Sequence, residues 1–211
     1  WLAGFPDGSV GTISQHGETE SYAAFTSADW ALTEQLTLSA GMRYTWEKKT
    51  MEPVGQQFFL ANGTPLTPDP ARLEADKDWD KWSPRVGAQY QFTDDLMAYT
   101  SYSQGFKSGG FFGRITLATA DSLRSFEPEE VDTYEIGIKS MWWDQRLRVN
   151  AAIFSSDYSD KQEEIIVADA GGNVDTVVAN ASDATMEGAE IEVSALLYEG
   201  LTAFVQGGYL D

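Results

Sequence analysis

The sequence contains no cysteine and a single histidine. Without thiols there can be no disulfide and no thiolate metal site, and their absence suits a protein that crosses an oxidising periplasm. His16 lies in a Gly-, Ser- and Thr-rich opening (residues 1–20) that reads as a loop, with no partner nearby for metal binding or catalysis, so it reads as a solvated loop residue. Positive charge is also scarce: 14 Lys and Arg stand against 33 Asp and Glu, a net charge of −19. So acidic a chain does not supply the basic groove that a nucleic acid backbone requires, which excludes nucleic acid as a partner. No run approaches the roughly 18 apolar residues of a membrane helix, although barrel strands, whose signal per segment is weak, remain open. No signal peptide opens the chain. It begins at Trp1, and its last strand-like stretch (201–211) simply stops, so a fragment is expected.

What is present is alternation. Leu36, Leu38, Ala40, Met42, Tyr44 and Trp46 alternate with Thr37, Ser39, Gly41, Arg43 and Thr45, the period of two that marks a strand with unlike faces. Trp82, Pro84, Val86, Ala88, Tyr90 and Phe92 repeat the pattern against Ser83, Arg85, Gly87, Gln89 and Gln91. Further strands are expected at residues 21–32, 96–106, 131–142, 146–158, 186–197 and 201–210. Short turns fall near positions 34, 94, 144 and 199, and long irregular stretches at 48–80, 107–125 and 169–183. Residues 99–139 form the organising unit, a strand that stops at Ser108-Gly109-Gly110, a loop, and a return through Phe126-Glu127-Pro128. Glycine pairs end strands, and proline cannot donate to a ladder, so it marks a strand's entrance. The prediction is an all-β, antiparallel up-and-down meander of about eight strands, with tight turns on one rim and long loops on the other.

The placement of aromatics tells which medium the apolar face meets. From Trp82 to Phe92, rings stand at both ends with smaller residues between. Ten residues tilted by about 40–45° cover about 23–25 Å, the height of the apolar band of an outer-membrane barrel. Trp30, Tyr90, Phe92, Trp142 and Tyr198 fall at the short-turn rim, and Tyr44, Trp46, Trp82, Tyr102 and Phe106 at the loop rim. Rings with one polar end suit both interfaces. The opposite face carries Arg43, Arg85, Gln89, Glu135, Lys139, Arg148, Asn150, Glu190 and Glu192, which a wet lumen accommodates and a dry sandwich core does not. The fold class is therefore part of a transmembrane β-barrel in outer-membrane lipid.

The stretches YTSYSQGFKSGGF and FEPEEVDTYEIGIKSMWWDQRLRVNAAIFSSDYSDKQ resemble the barrel of TonB-dependent outer-membrane receptors. LTEQLTLSAGMRYTWEKK is similar to the family's hairpin ending in G-x-R-Y. The resemblance runs from about Ser21 to Tyr209. It implies a parent barrel of about 22 strands, of which residues 1–211 are a middle-to-late part, with the plug domain and the closing strands outside. It also implies location in the bacterial outer membrane, coupling to TonB through the plug, and active uptake of a scarce ligand, foremost a ferric siderophore. Two other readings stay open at this point: a small self-contained structural or adhesive barrel, and a secreted soluble β-protein that binds glycans.

No catalytic constellation is visible, since the serines lack a base partner, so neither enzymatic activity nor a cofactor is expected. Asp76, Asp78 and Asp80 sit at i, i+2 and i+4, but an EF-hand needs Gly where Lys81 stands and Glu where Gly87 stands. Residues 169–175 (DAGGNVD) fall short in a similar way, and both read as solvated acidic loops. Phe111, Phe112 and Arg114 follow the glycine pair at the mouth. Aromatic and guanidinium groups there suit stacking on, or pairing with, catecholate or carboxylate groups of a ligand. Phe58 and Phe59 are loop aromatics of the same kind.

Overall fold

The computed structural model of the chain describes residues 8–66, 74–112, 124–168 and 174–211. Its strands are β1 (Val10–Ala31), β2 (Leu36–Phe59), β3 (Ala75–Thr93), β4 (Leu96–Lys107), β5 (Gly110–Phe111), β6 (Ser125–Phe126), β7 (Glu129–Trp142), β8 (Leu147–Ala168), β9 (Val174–Tyr198) and β10 (Leu201–Leu210). Eight of them form one antiparallel sheet in the order β1-β2-β3-β4-β7-β8-β9-β10, and β5 pairs with β6 in a small second sheet. Each strand of the large sheet pairs with its sequence neighbour, as hairpins dictate.

The tight turns stand where the polar triplets predicted them. Thr33 Oγ1 closes the first by accepting from the Gln35 and Leu36 amides at 3.2 and 2.9 Å. The third runs through Trp143, Asp144 and Gln145, all at positive φ (55°, 53° and 65°), a conformation that costs an L-residue roughly 1–2 kcal/mol. Glu199-Gly200 makes the last, with Gly200 at φ 86°.

Alternation and register together fix the two faces. Leu36↔Tyr90, Leu38↔Ala88, Ala40↔Val86 and Tyr44↔Trp82 pair directly across β2 and β3, and Ile136↔Ile153 and Ile138↔Ala151 across β7 and β8. That face keeps its large side chains uncovered: Trp30, Trp82, Val86, Phe92, Ile136, Ile138 and Ile153 are all exposed. Its loop-side rim is a row of paired rings, Tyr22 on Trp46 at 5.8 Å, Tyr44 on Trp82 at 4.8 Å and Tyr102 on Tyr134 at 5.1 Å. Each pair is a direct cross-strand neighbour, the unit of sheet stabilisation. A soluble protein does not leave such a band to water. Lipid is the medium it matches.

The strands run further than the alternation predicts. Residues 10–20 belong to β1 rather than to a loop, so His16 is an exposed strand residue opposite Glu52. The stretch 48–80 is not irregular throughout, because β2 continues to Phe59 and β3 begins at Ala75. Likewise β9 begins at Val174, so residues 174–183 are strand rather than irregular. Beyond the aromatic rim both faces of a strand meet water, so no hydrophobic period is required and main-chain pairing alone extends the ladder. Pro53 is tolerated in β2 because pairing with β3 ends at Met51↔Ala75, leaving β2 paired there with β1 alone.

Candidate functional site

Among the described residues the one large apolar side chain that is buried is Trp79, at 6% exposure. Its burial follows from a proline. Pro84 has no N–H to give, and the β3–β4 ladder ends one residue later, at Arg85↔Ser103. The loop-side half of β3 therefore runs without β4 as a neighbour and presents Lys77, Trp79 and Lys81 on the same face as Arg85, the face opposite the lipid band. Onto it folds the stem of the β4–β7 loop, which is Ser108-Gly109, the β5–β6 pair and Glu127-Pro128.

Glycine is required at the contact. A Cβ on Gly109 would lie 2.4 Å from the Phe126 carbonyl oxygen and 2.5 Å from the Trp79 ring, and one on Gly110 would lie 2.8 Å from the Phe126 ring. Phe111 completes the cover, edge-on to Trp79 with centroids 6.2 Å apart.

The stem is fastened on its two sides by different chemistry. On the β2–β3 side the bonds are ionic or cationic. The Glu127 carboxylate accepts from Lys77 Nζ and, at 3.0 Å, from Trp79 Nε1. Glu130 accepts from Lys81 Nζ and, at 3.3 Å, from Gln104 Nε2. Lys49 Nζ donates to the Gly109 carbonyl at 2.7 Å while paired with Glu47 at 3.1 Å. The Lys77 ammonium also lies 5.3 Å from the Trp79 ring centroid. Hydrogen bonds from Lys77 and Trp79 hold the Glu127 carboxyl below its ordinary pKa.

On the β8–β9 side the bonds to the stem's main chain are neutral. Asn180 treats Glu127 as a strand neighbour would, accepting its N–H at 2.8 Å and donating to its carbonyl at 2.9 Å. Gln162 Nε2 is shared among the carbonyls of Ser108 at 3.0 Å, Glu127 at 3.0 Å and Lys107 at 3.4 Å, and its own N–H donates to Glu129 at 2.9 Å. A bulge in β8, where the register shifts between Tyr158 and Lys161 and Asp160 takes φ 54°, re-aims the strand just before Gln162. Bulges commonly serve this purpose.

Deeper along the same face lies an open hollow of about 500 Å³, bordered by Asp29, Arg85, Tyr99, Glu135 and Lys139. Gly137 makes room for the Tyr99 ring, since a Cβ there would lie 2.6 Å from it. Lys139 Nζ lies 5.3 Å from the same ring.

Of the sequence candidates, Phe111 belongs to the stem cluster and Phe112 follows it, half-buried. Arg114 lies outside the described residues. Phe58 and Phe59 stand at the outer end of β2, opposite Gly11 and Val10. They are nine to ten residues beyond Lys49, so about 30 Å further along the strand. The structure does not bring them to Phe111. Asp76 and Asp78 face away from the stem, where Asp76 pairs with Lys48 at 3.1 Å and Asp78 accepts from Trp46 Nε1 at 3.4 Å. Residues 169–173 lie outside the described residues. Lys77, Trp79 and Lys81 are not among the sequence candidates, although DKDWDKW (76–82) carries a signal. Lysine and tryptophan at every second position, with acids between, is a two-faced strand whose faces differ in charge rather than in hydropathy.

Comparison with known proteins agrees with this geometry. The family model described as "TonB dependent receptor-like, beta-barrel" matches residues 3–210. The ferric-pyoverdine receptor PbuA of a Pseudomonas strain is 28% identical over 90% of this chain and 21% of its own length. The catecholate siderophore receptor Fiu of Escherichia coli is 26% identical over 85% and 24%. Among solved structures, the ferric yersiniabactin uptake receptor FyuA from Yersinia pestis superposes with a TM-score of 0.73 at 22% identity, over 94% of this chain and 28% of that one. The chain thus spans about a fifth to a quarter of the curated relatives it matches. Fold, face polarity and family match converge, and the chain belongs to the TonB-dependent receptor β-barrel family.

Proposed function

We propose that this chain is part of the barrel wall of a bacterial outer-membrane receptor that takes up a ferric siderophore. In this reading residues 1–211 line one side of the barrel, while the plug, the segment contacting TonB and the closing strands belong to the rest of the protein. The chain contributes transport rather than catalysis. The observation that carries the reading is the match, along most of this sequence, to receptors for ferric pyoverdine and catecholate siderophores.

The arrangement suits that task. The lipid-facing band seats the wall in the membrane, and the opposite face carries the polar and charged groups. At the loop-side end the stem sets Phe111 and Phe112, with Arg114 following in sequence, where a ligand arriving from outside would meet them. Aromatic faces and a guanidinium are groups that stack on, or pair with, a catecholate or carboxylate complex. Phe58 and Phe59 would offer a second, more distant contact on β2.

The test is uptake of radioiron by cells that carry the full-length receptor and no other siderophore receptor. Pyoverdine, a catecholate siderophore and yersiniabactin are each supplied under iron limitation. Iron import with at least one of them, abolished by loss of TonB, is expected. Absence of import with all three, from a receptor shown to reach the outer membrane, would refute the reading.

A further inference from the structure

We infer that Lys77, Trp79 and Lys81 form an anion-binding subsite of the receptor that the protein's own Glu127 and Glu130 fill until a ligand takes their place. The ligand groups that fit are carboxylates or phenolate oxygens of an anionic complex. The inference rests on the uptake reading above and specifies the charge class of its ligand.

In a chain of net charge −19, β3 places two ammonium groups at alternate positions around one indole N–H, all on the face away from lipid. Three donors in a row about 13 Å long are a receptor for oxygen anions, and two carboxylates already occupy them. Glu127 binds Lys77 and the Trp79 N–H, and Glu130 binds Lys81. These are not buried pairs. Lys77 and Glu127 side chains are 35% and 57% exposed, and those of Lys81 and Glu130 32% and 30%. An ion pair so open to water contributes little net stability, so a competing anion can displace it.

The rest of the stem does not depend on these pairs. Gln162 and Asn180 hold its main chain from the β8–β9 side with uncharged hydrogen bonds. Displacing the carboxylates would therefore loosen the β3 side of the stem, where Lys49 still holds the Gly109 carbonyl, while the other side stays attached. Lys77, Lys81 and the indole N–H of Trp79 would then face the incoming anion, with Phe111 beside them. A fastening whose only purpose was rigidity would gain nothing from being ionic on one side and neutral on the other.

The experiment uses the full-length receptor in detergent, with citrate as the probe and chloride balancing ionic strength. Calorimetry measures citrate affinity, and hydrogen exchange follows the amides of residues 108–112 and 124–129. Citrate is expected to bind and to raise exchange in the stem. Glu127→Gln should bind citrate about threefold more tightly, the worth of one exposed pair, because an internal competitor is gone. Lys77→Gln with Lys81→Gln should lose both responses, and Lys77→Arg with Lys81→Arg should keep them. Loss of affinity in Glu127→Gln, or an unchanged response in the Lys→Gln pair, would overturn the subsite and leave a structural clasp. Radioiron uptake separates the two readings: import without a citrate response sinks the subsite alone, and a citrate response without import sinks the siderophore reading alone.

Discussion

The two halves of β3 obey opposite rules. From Trp82 to Phe92 the apolar side chains lie on one face and the polar ones on the other, and the apolar face is left bare. From Asp76 to Lys81 the bare face carries Asp76, Asp78 and Asp80, while the single large apolar residue, Trp79, lies on the other face and is buried. The strand has not changed, but its surroundings have. Lipid on one side forces the first pattern. With water on both sides, the position of an apolar group is set by what folds onto it, here the loop stem over Trp79.

The strongest way to break this comparison is one substitution made in both halves. Val86→Arg puts a charge midway between the aromatic rims and should destabilise the membrane-inserted receptor by about 2–4 kcal/mol. Asp78→Arg, on the same face of the same strand, should change stability by less than about 0.5 kcal/mol. Reversible unfolding of the full-length receptor in liposomes measures both. Equal effects at the two positions would mean that the lipid boundary is misplaced.

A second pair of changes tests the glycines. Gly109→Ala drives a methyl into the Phe126 carbonyl and the Trp79 ring, neither of which can yield without moving the stem. The cost should be about 1–3 kcal/mol, read as faster hydrogen exchange in residues 108–112 with the barrel strands unchanged. Gly137→Ala meets only the far end of the Tyr99 side chain, which can swing into the open hollow. Its effect should be smaller and confined to the wall.

The same contrast explains what could be read from the sequence. Residues such as Tyr44, Trp82, Val86 and Ile136 were legible because the membrane imposes a face, a period and a pair of rims, all local signals. The short turns were legible for the same reason. The outer halves of β1, β2, β3, β8 and β9 were not, because solvated strands need no hydrophobic period and their polar sequences look like loop. Trp79 escaped notice with them, since its burial depends on Gly109 and Phe126, 30 and 47 positions away. The glycine pair itself is legible as a strand end, but not as the floor on which the indole packs. Asn180 and Gln162 carry no motif, and only the ladder between β8 and β9 brings them to Glu127.

Within the stem, the neutral and ionic sides should respond to different perturbations. Gln162→Ala removes donors to two stem carbonyls at 3.0 Å and should cost about 1–3 kcal/mol of stem stability. Raised salt should leave this loss unchanged. Lys77→Gln should cost less, about 0–1 kcal/mol, and high salt should reproduce it in the unsubstituted receptor, since exposed pairs are screened. Hydrogen exchange of the Glu127 amide, titrated with sodium chloride, distinguishes the two.

Acid supplies the smallest and most selective effect. Lys77 and Trp79 hold the Glu127 carboxyl below its ordinary value of 4.5. The folded state therefore favours the charged form, and the stabilisation is complete above that ordinary value. It is lost as pH falls through the lower folded value. Lys77 and Lys81 are the cations facing this carboxylate, and the bonds from Asn180 and Gln162 to the stem carbonyls do not titrate. Lowering the pH from about 6 toward about 3, which brackets the carboxylate range, should thus loosen the β3 side of the stem first. Exchange at residues 108–112 should rise before any change in the spanning strands, and Lys77→Gln should flatten that rise. With the Glu127 side chain 57% exposed, the change should be modest. If the stem and the wall instead loosened together, the ionic side would not be separable from the sheet, and the two halves of β3 would have to be treated as one unit.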